Sequence, residues 1–198
     1  MIRSAAGSIK DVEAIAGLLM EGFHGKFQAL KVTESERNSM LRCLAEHMIS
    51  NHKDNLLIIR DKHIQGVLFI KPQNWKVWEV MGRLFKELRF KTFLKAITFL
   101  LALDHSSKYN EIHIDFITVT HLARGKGIGT KLIELVKSMA DDSQHVTLYV
   151  SVTNLAAQRL YERLGFQIKK KGTSLVGSNL HGIHEWYFME WKGAKNNE

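Results

Sequence analysis

The chain has 198 residues, of which 45% are apolar and 24% charged, with a formal charge of +8; this is the composition of one soluble globular domain with a single core. Its most apolar run, 96–103, falls short of the roughly 18–20 residues of a membrane span and has Lys91, Lys95 and Asp104 beside it, and the early charges Lys10, Asp11 and Glu13 do not suit a signal peptide, so a cytoplasmic protein is expected. Cys43 is the only cysteine, which excludes an internal disulfide and a cysteine metal cluster, and the basic balance calls for an anionic ligand without any motif or long basic run that would point to nucleic acid.

Residues 2–4 suit a short first strand, and from Ile9 a helix would place Val12, Ile15, Ala16, Leu18, Leu19 and Phe23 on its inner face until Gly22 and Gly25 break it. A second helix is expected over 34–49, with Met40, Leu41, Leu44 and Met48 apolar and Thr33 and Glu36 forming a capping box. Cys43 falls within it and is read as a small buried hydrophobe. Segments 55–60 and 64–71 read as a hairpin joined through Asp61-Lys62-His63 and closed by Pro72, the only proline.

Segment 73–108 reads as a helical insertion between the third and fourth strands. Trp75, Val77, Trp78, Val80, Met81, Leu84, Phe85 and Leu88 suggest one helix, and Phe93, Leu94, Ile97, Leu100 and Leu101 another. Three readings stay open for it: a pair packed on the domain, a lid or homodimer contact, or a basic helix on a membrane surface. It is too short to bury a core of its own, so one domain over 1–192 is expected, with 193–198 as a disordered tail.

A strand follows over 112–119, read as having Ile112, Ile114 and Phe116 on one face and His113, Asp115, Ile117 and Val119 on the other. A helix begins near Gly129, with Leu132, Ile133, Leu135, Val136 and Met139 at helical spacing. A strand over 146–152, a helix over 155–164 and two closing strands over 167–175 and 185–191 complete the chain.

Between the strand and its helix lies Arg124-Gly125-Lys126-Gly127-Ile128-Gly129. Glycines permit positive φ and remove the Cβ atoms that keep a ligand from the backbone, so successive N–H groups can converge on a phosphate. The first helical turn contributes unpaired N–H donors and the positive end of its dipole, and Arg124 and Lys126 add charge. The spacing fits neither the dinucleotide fingerprint nor the Walker-type phosphate loop.

The turn from Arg124 to Gly129 resembles the [R/Q]-x-x-G-x-[G/A] motif of the GNAT superfamily of acyl-CoA-dependent N-acyltransferases. A second stretch, with Asn154, Ala157, Tyr161, Gly165 and Phe166 after a strand, is similar to that family's next motif, and Gly66 matches the small residue of its third strand. The resemblance implies a mixed α/β (α+β) domain around a twisted, mostly antiparallel sheet whose two parallel central strands splay apart. It implies acetyl-CoA as cofactor, its arm pairing with the backbone of Ile117, Thr118 and Val119, its pyrophosphate over Arg124, Gly125, Lys126, Gly127, Ile128, Gly129 and Thr130, and Asn154 and Ala157 on the opposite side. Tyr161 then looks like the residue that protonates the departing thiolate, and a backbone N–H near Val119 would meet the oxyanion. Asn154 can equally serve as a helix N-cap. Where the family often has an Asp-Pro-Glu-Tyr-like approach to the turn, this chain has Thr120-His121-Leu122-Ala123.

Direct attack by an amine requires a group that takes its proton. Polar His113 and Asp115 in a central strand are the candidates, Asp115 ahead of His113, against the alternative that they only bond neighbours. No metal is expected: His181 and His184 have loose ligand spacing but no third ligand nearby. The expected reaction is acetyl transfer to a primary amine in a ternary complex. A non-catalytic coenzyme A-sensing module and a toxin-like enzyme acting on aminoacyl-tRNA are the other readings.

Overall fold

The computed structural model describes residues 2–3, 8–29, 31–102, 105, 107–173 and 185–193; the His181 and His184 pair and residues 194–198 of the expected tail lie outside them. Seven strands form one sheet in the order β1-β2-β3-β4-β5-β7-β6, where β1 is Ile2–Arg3, β2 Leu56–Arg60, β3 Ile64–Ile70, β4 Glu111–Val119, β5 His145–Ser151, β6 Gln167–Thr173 and β7 Glu185–Lys192. The pairing of β4 with β5 is parallel, and the neighbouring pairs on either side are antiparallel.

Helices α1 (Val12–Ala29) and α2 (Glu34–Asn51) cover one face of β2 to β4, together with α3 (Val77–Glu87) and α4 (Phe90–Ala102) of the insertion. The other face is covered by α5 (Ile128–Met139) and α6 (Leu155–Arg163). Apolar residues therefore form two clusters, one on each side of the sheet. The capping box is present at the start of α2, with Glu36 N–H donating to Thr33 Oγ1 at 3.3 Å and Thr33 N–H to Glu36 Oε2 at 3.1 Å. Cys43 is buried.

Two local expectations are corrected. The first helix does not stop at its glycines but runs on to Ala29. A Cβ on Gly22 would lie 2.8 Å from Thr118 Oγ1, so this glycine lets α1 sit close against β4, and the packing outweighs the roughly 1 kcal/mol that a helical glycine costs. The second correction concerns the faces of β4. Phe116 pairs with Phe69, yet Ile114 pairs with Ile70, which leaves Asp115 as the extra residue of a β-bulge. The bulge shifts the alternation, so Ile112 and Ile114 share a face with Ile117 and Val119 toward α5, while Phe116 packs on the side of α1 and α2.

In the insertion, Val80, Leu84, Leu88, Ala96 and Ile97 join the same cluster as α1 and α2, so the helical pair packs on the domain. Glu36 of α2 clasps it further by accepting from Arg89 Nε at 2.8 Å and Thr92 Oγ1 at 2.7 Å.

Gly66 is the tightest point between β3 and α5. An added Cβ would meet Ile128 Cγ2 at 2.8 Å, with Leu132 Cδ1 and the Thr118 carbonyl both at 3.3 Å. Gly66→Val is expected to cost about 1–3 kcal/mol through this overpacking. In urea unfolding the midpoint should fall while the slope stays unchanged.

Candidate active site

The parallel ladder between β4 and β5 runs only from Glu111 opposite His145 to Ile114 opposite Leu148. Both strands continue past it, β4 to Val119 and β5 to Ser151, without pairing to each other. The sheet thus opens into a V just beyond the Asp115 bulge, and an unpaired strand edge offers N–H and C=O groups to an extended ligand. Ile117, Thr118 and Val119 lie along that edge.

At the end of β4 a 3-10 turn over His121–Ala123 buries Ala123 and leads into the glycines. Gly125 and Gly127 take left-handed φ of 75° and 76°, and nothing lies within 4 Å of a Cβ built on either. Their backbone is reachable from outside, and side chains there would fill that space. Gly127 caps α5, whose first turn, Ile128, Gly129 and Thr130, carries N–H groups without helical acceptors. Gly129 differs: its added Cβ would touch Leu160 Cδ2 at 3.2 Å, so it allows α5 to approach α6. Lys126 is exposed, whereas Arg124 folds back, with Nε donating to the Val119 carbonyl at 3.3 Å and its guanidinium 3.8 Å from Glu21 of α1.

Across the V, Asn154 Oδ1 accepts from Ala157 N–H at 3.2 Å and so caps α6. The cap engages the oxygen of the amide and leaves its nitrogen for another role. Gln158, one residue on from half-buried Ala157, donates from Nε2 to the Ser151 and Val152 carbonyls at 2.9 and 2.8 Å, tying α6 to the end of β5. Tyr161 packs in the cluster that also takes Val150, Ile117 and Val119 from the two parting strands. Burial pushes its phenol well above the ordinary tyrosine range, so it holds its proton at neutral pH.

Below the bulge, buried polar groups link β4 to β5. Thr147 Oγ1 donates to Glu111 Oε1, so the bond of 2.7 Å from His113 Nδ1 to that hydroxyl has the histidine as donor. His113 then carries its proton on Nδ1 and a lone pair on Nε2. His105 Nε2 lies 2.9 Å from Glu111 Oε1 and Nδ1 lies 3.0 Å from Tyr149 Oη, a pattern in which the ring donates to the carboxylate and accepts from the phenol. The two imidazoles stack with centroids 4.0 Å apart. Burial opposes the charge on Glu111, but the hydrogen bonds from His105, Thr147 and the Lys108 N–H, with His113 Nδ1 3.7 Å away, together hold its carboxyl far below the usual range. Burial holds His113 below the ordinary histidine value, which Glu111 offsets only in part. The site therefore contains one buried carboxylate beside a neutral His113. Asp115, at the bulge, is exposed.

A model of the acetyltransferase (GNAT) family matches residues 19–166. The chain belongs to the GNAT acetyltransferase family. Its fold is similar to that of an N-acetyltransferase from Staphylococcus aureus Mu50, with a TM-score of 0.69 at 17% identity over 96% of this chain and 100% of that one. It is also similar to an agmatine N-acetyltransferase in its apo form (TM-score 0.60, 15% identity, 96% of this chain and 98% of that one). A further likeness is to the NatB acetyltransferase complex bound to CoA and MES (TM-score 0.51, 15% identity, 93% and 94%). No curated protein matches the chain in sequence.

In this GNAT domain the residues expected from sequence fall into three groups. The turn from Gly125 to Thr130 and the edge from Ile117 to Val119 adjoin the mouth of the V, while Asn154 caps α6 beyond the end of β5 and Ala157 and Tyr161 lie on that helix. His113 and Asp115 flank Ile114, where the ladder ends, one buried and one exposed. Glu111, Thr147, Tyr149 and His105 were not anticipated. The signal for them was the repeat of polar residues at alternate positions, Glu111 with His113 and Thr147 with Tyr149, on strands that turn out to be neighbours in register.

Proposed function

We propose that the chain is an acyl-CoA-dependent N-acetyltransferase that moves an acetyl group to a primary amine in a ternary complex. The observation that carries this reading is the V between β4 and β5, flanked by a left-handed glycine turn with open space over its backbone. The open backbone of Gly125 and Gly127, which carries no Cβ, fits a pyrophosphate, and Lys126 adds a cation beside it. Ile117, Thr118 and Val119 would hold the pantetheine arm as an added strand, opposite the Asn154 amide nitrogen and Ala157. Arg124 serves the same site by bracing the end of β4 against α1.

Acetyl-CoA supplies an activated acetyl group as a thioester. Asp115, exposed at the bulge, takes the proton of the acceptor ammonium so that the nitrogen gains a lone pair, and His113 stands behind it with its own lone pair at Nε2. A backbone N–H near Val119 takes up charge on the carbonyl oxygen. The nitrogen bonds to the carbonyl carbon, Tyr161 delivers its proton to the sulfur as the carbon–sulfur bond breaks, and the second proton released by the nitrogen returns through water to the Tyr161 oxygen. The amine is thereby acetylated and free coenzyme A is released.

Full-length protein with acetyl-CoA and a panel of primary amines should release free thiol only when a suitable amine is present. Saturable acetyl-CoA binding without amine-dependent release from any class of acceptor would favour the coenzyme A-sensing module instead. Absence of binding would remove the acyltransferase reading. Salt-sensitive binding of aminoacyl-tRNA would redirect the search for the acceptor.

A further inference from the structure

The insertion meets the domain at a second polar cluster. His47 lies near the end of α2 and His52 at its C-cap, where the backbone leaves the helix at φ −137° and ψ 35°. Both turn Nε2 toward Glu79 in the first turn of α3, each 3.7 Å from the same oxygen, Oε2. The two nitrogens are buried and make no hydrogen bond among the described residues, and the His47 side chain is only 1% exposed. Two orphaned imidazole nitrogens aimed at one carboxylate oxygen are costly to keep unless something sits between them.

We propose that His47, His52 and Glu79 form a binding site for a zinc-class divalent cation that fastens the insertion to α2. Three ligand atoms, two imidazole and one carboxylate, are the donor set such an ion takes, with water in the open fourth position. Ligand atoms around tetrahedral zinc stand about 3.3 Å apart. The observed nitrogen-to-oxygen distances exceed that by a few tenths of an ångström, and all three atoms lie within 4.8 Å of one another. A small rotation of the glutamate closes the gap, since Glu79 is the most exposed of the three and opens the site to solvent.

The surroundings suit a metal. Trp75 sits against both imidazoles with centroids 5.2 Å away, and Phe69 lies 5.8 Å from Trp75, which makes an apolar floor under the ligands. Burial, with His52 and Arg83 adding to it against Glu79, keeps His47 below the ordinary histidine value and so in the neutral form that binds metals. Arg83 is engaged by Glu46 at 3.3 Å. The His105, Glu111 and His113 cluster offers the same residue types at similar spacing, but its ring nitrogens facing Glu111 and Thr147 are hydrogen-bonded, and it leaves no comparable pair of orphans.

The test is calorimetric titration of zinc chloride into metal-stripped full-length protein, with cobalt(II) as a spectroscopic stand-in. One zinc per chain and the visible bands of tetrahedral cobalt are expected. Glu79→Gln and His52→Gln should each lower zinc affinity by at least the roughly tenfold that even an outer ligand partner costs. Zinc should raise the Tm of the parent protein and not that of these variants, while Glu111→Gln should keep zinc binding. Failure of the folded parent to take up zinc overturns the proposal, as does binding that survives in Glu79→Gln and His52→Gln or vanishes in Glu111→Gln.

Discussion

Gly127→Trp is expected to abolish measurable acetyl-CoA binding while leaving the protein folded. Gly127 has φ 76° and, among the described residues, nothing within 4 Å of an added Cβ, so a side chain can start there without a clash. The cost to the fold is limited to placing an L-residue in the left-handed region, about 1–2 kcal/mol. The cost to the ligand is larger. A bulky ring stands where the pyrophosphate must approach the first N–H groups of α5, and loss of two charge-assisted hydrogen bonds at about 1.5–3 kcal/mol each already weakens binding by roughly 100-fold or more. Calorimetric titration of acetyl-CoA measures this directly. Gly82→Ala is the matched control, because Gly82 of α3 also has open space around it but ordinary helical φ and lies in the insertion. An unchanged dissociation constant in Gly127→Trp would make the turn a conformational feature and remove it from the binding site.

The parts of the fold that were legible in the sequence are those whose cause is local. The strand, glycine turn and helix from Glu111 to Met139 announce themselves because apolar period, left-handed glycines and helix start are all set by neighbouring residues. The capping box at Thr33 and Glu36 is local for the same reason. The misread features depend on distant partners. Gly22 looks like a helix breaker until Thr118 is placed against it, and Asp115 alternates normally until β3 pairs with β4 and leaves it unmatched. The polar relay shares that character: Glu111 and Thr147 mean little separately, and only the parallel register of β4 and β5 brings the carboxylate to the hydroxyl. The orphaned nitrogens of His47 and His52 become visible only when α3 packs on α2. The glycine turn, which is built from backbone, was thus more legible in the sequence than the polar cluster, which is built from side chains of several elements.

Tyr161→Phe is expected to lower kcat by about 10²–10⁴-fold, the usual contribution of a positioned general acid, with little change in KM for acetyl-CoA. The substitution is clean because Tyr161 is buried and its ring packs 5.9 Å from Phe166, so phenylalanine keeps the shape and the apolar contacts and removes only the hydroxyl. Its effect should therefore fall on the step that breaks the carbon–sulfur bond rather than on binding. An acetyl thioester of a more acidic thiol, which departs without needing a proton, should recover most of the lost rate in the variant while gaining little in the parent enzyme. The pH dependence has a definite sign. A general acid works while protonated, and burial pushes the Tyr161 phenol above its ordinary value, so the alkaline loss of kcat from this group should lie above the ordinary tyrosine range. A kcat for Tyr161→Phe within about threefold of the parent, with no dependence on the thiol, would leave Tyr161 as a packing residue and assign the proton to a water reaching the open V.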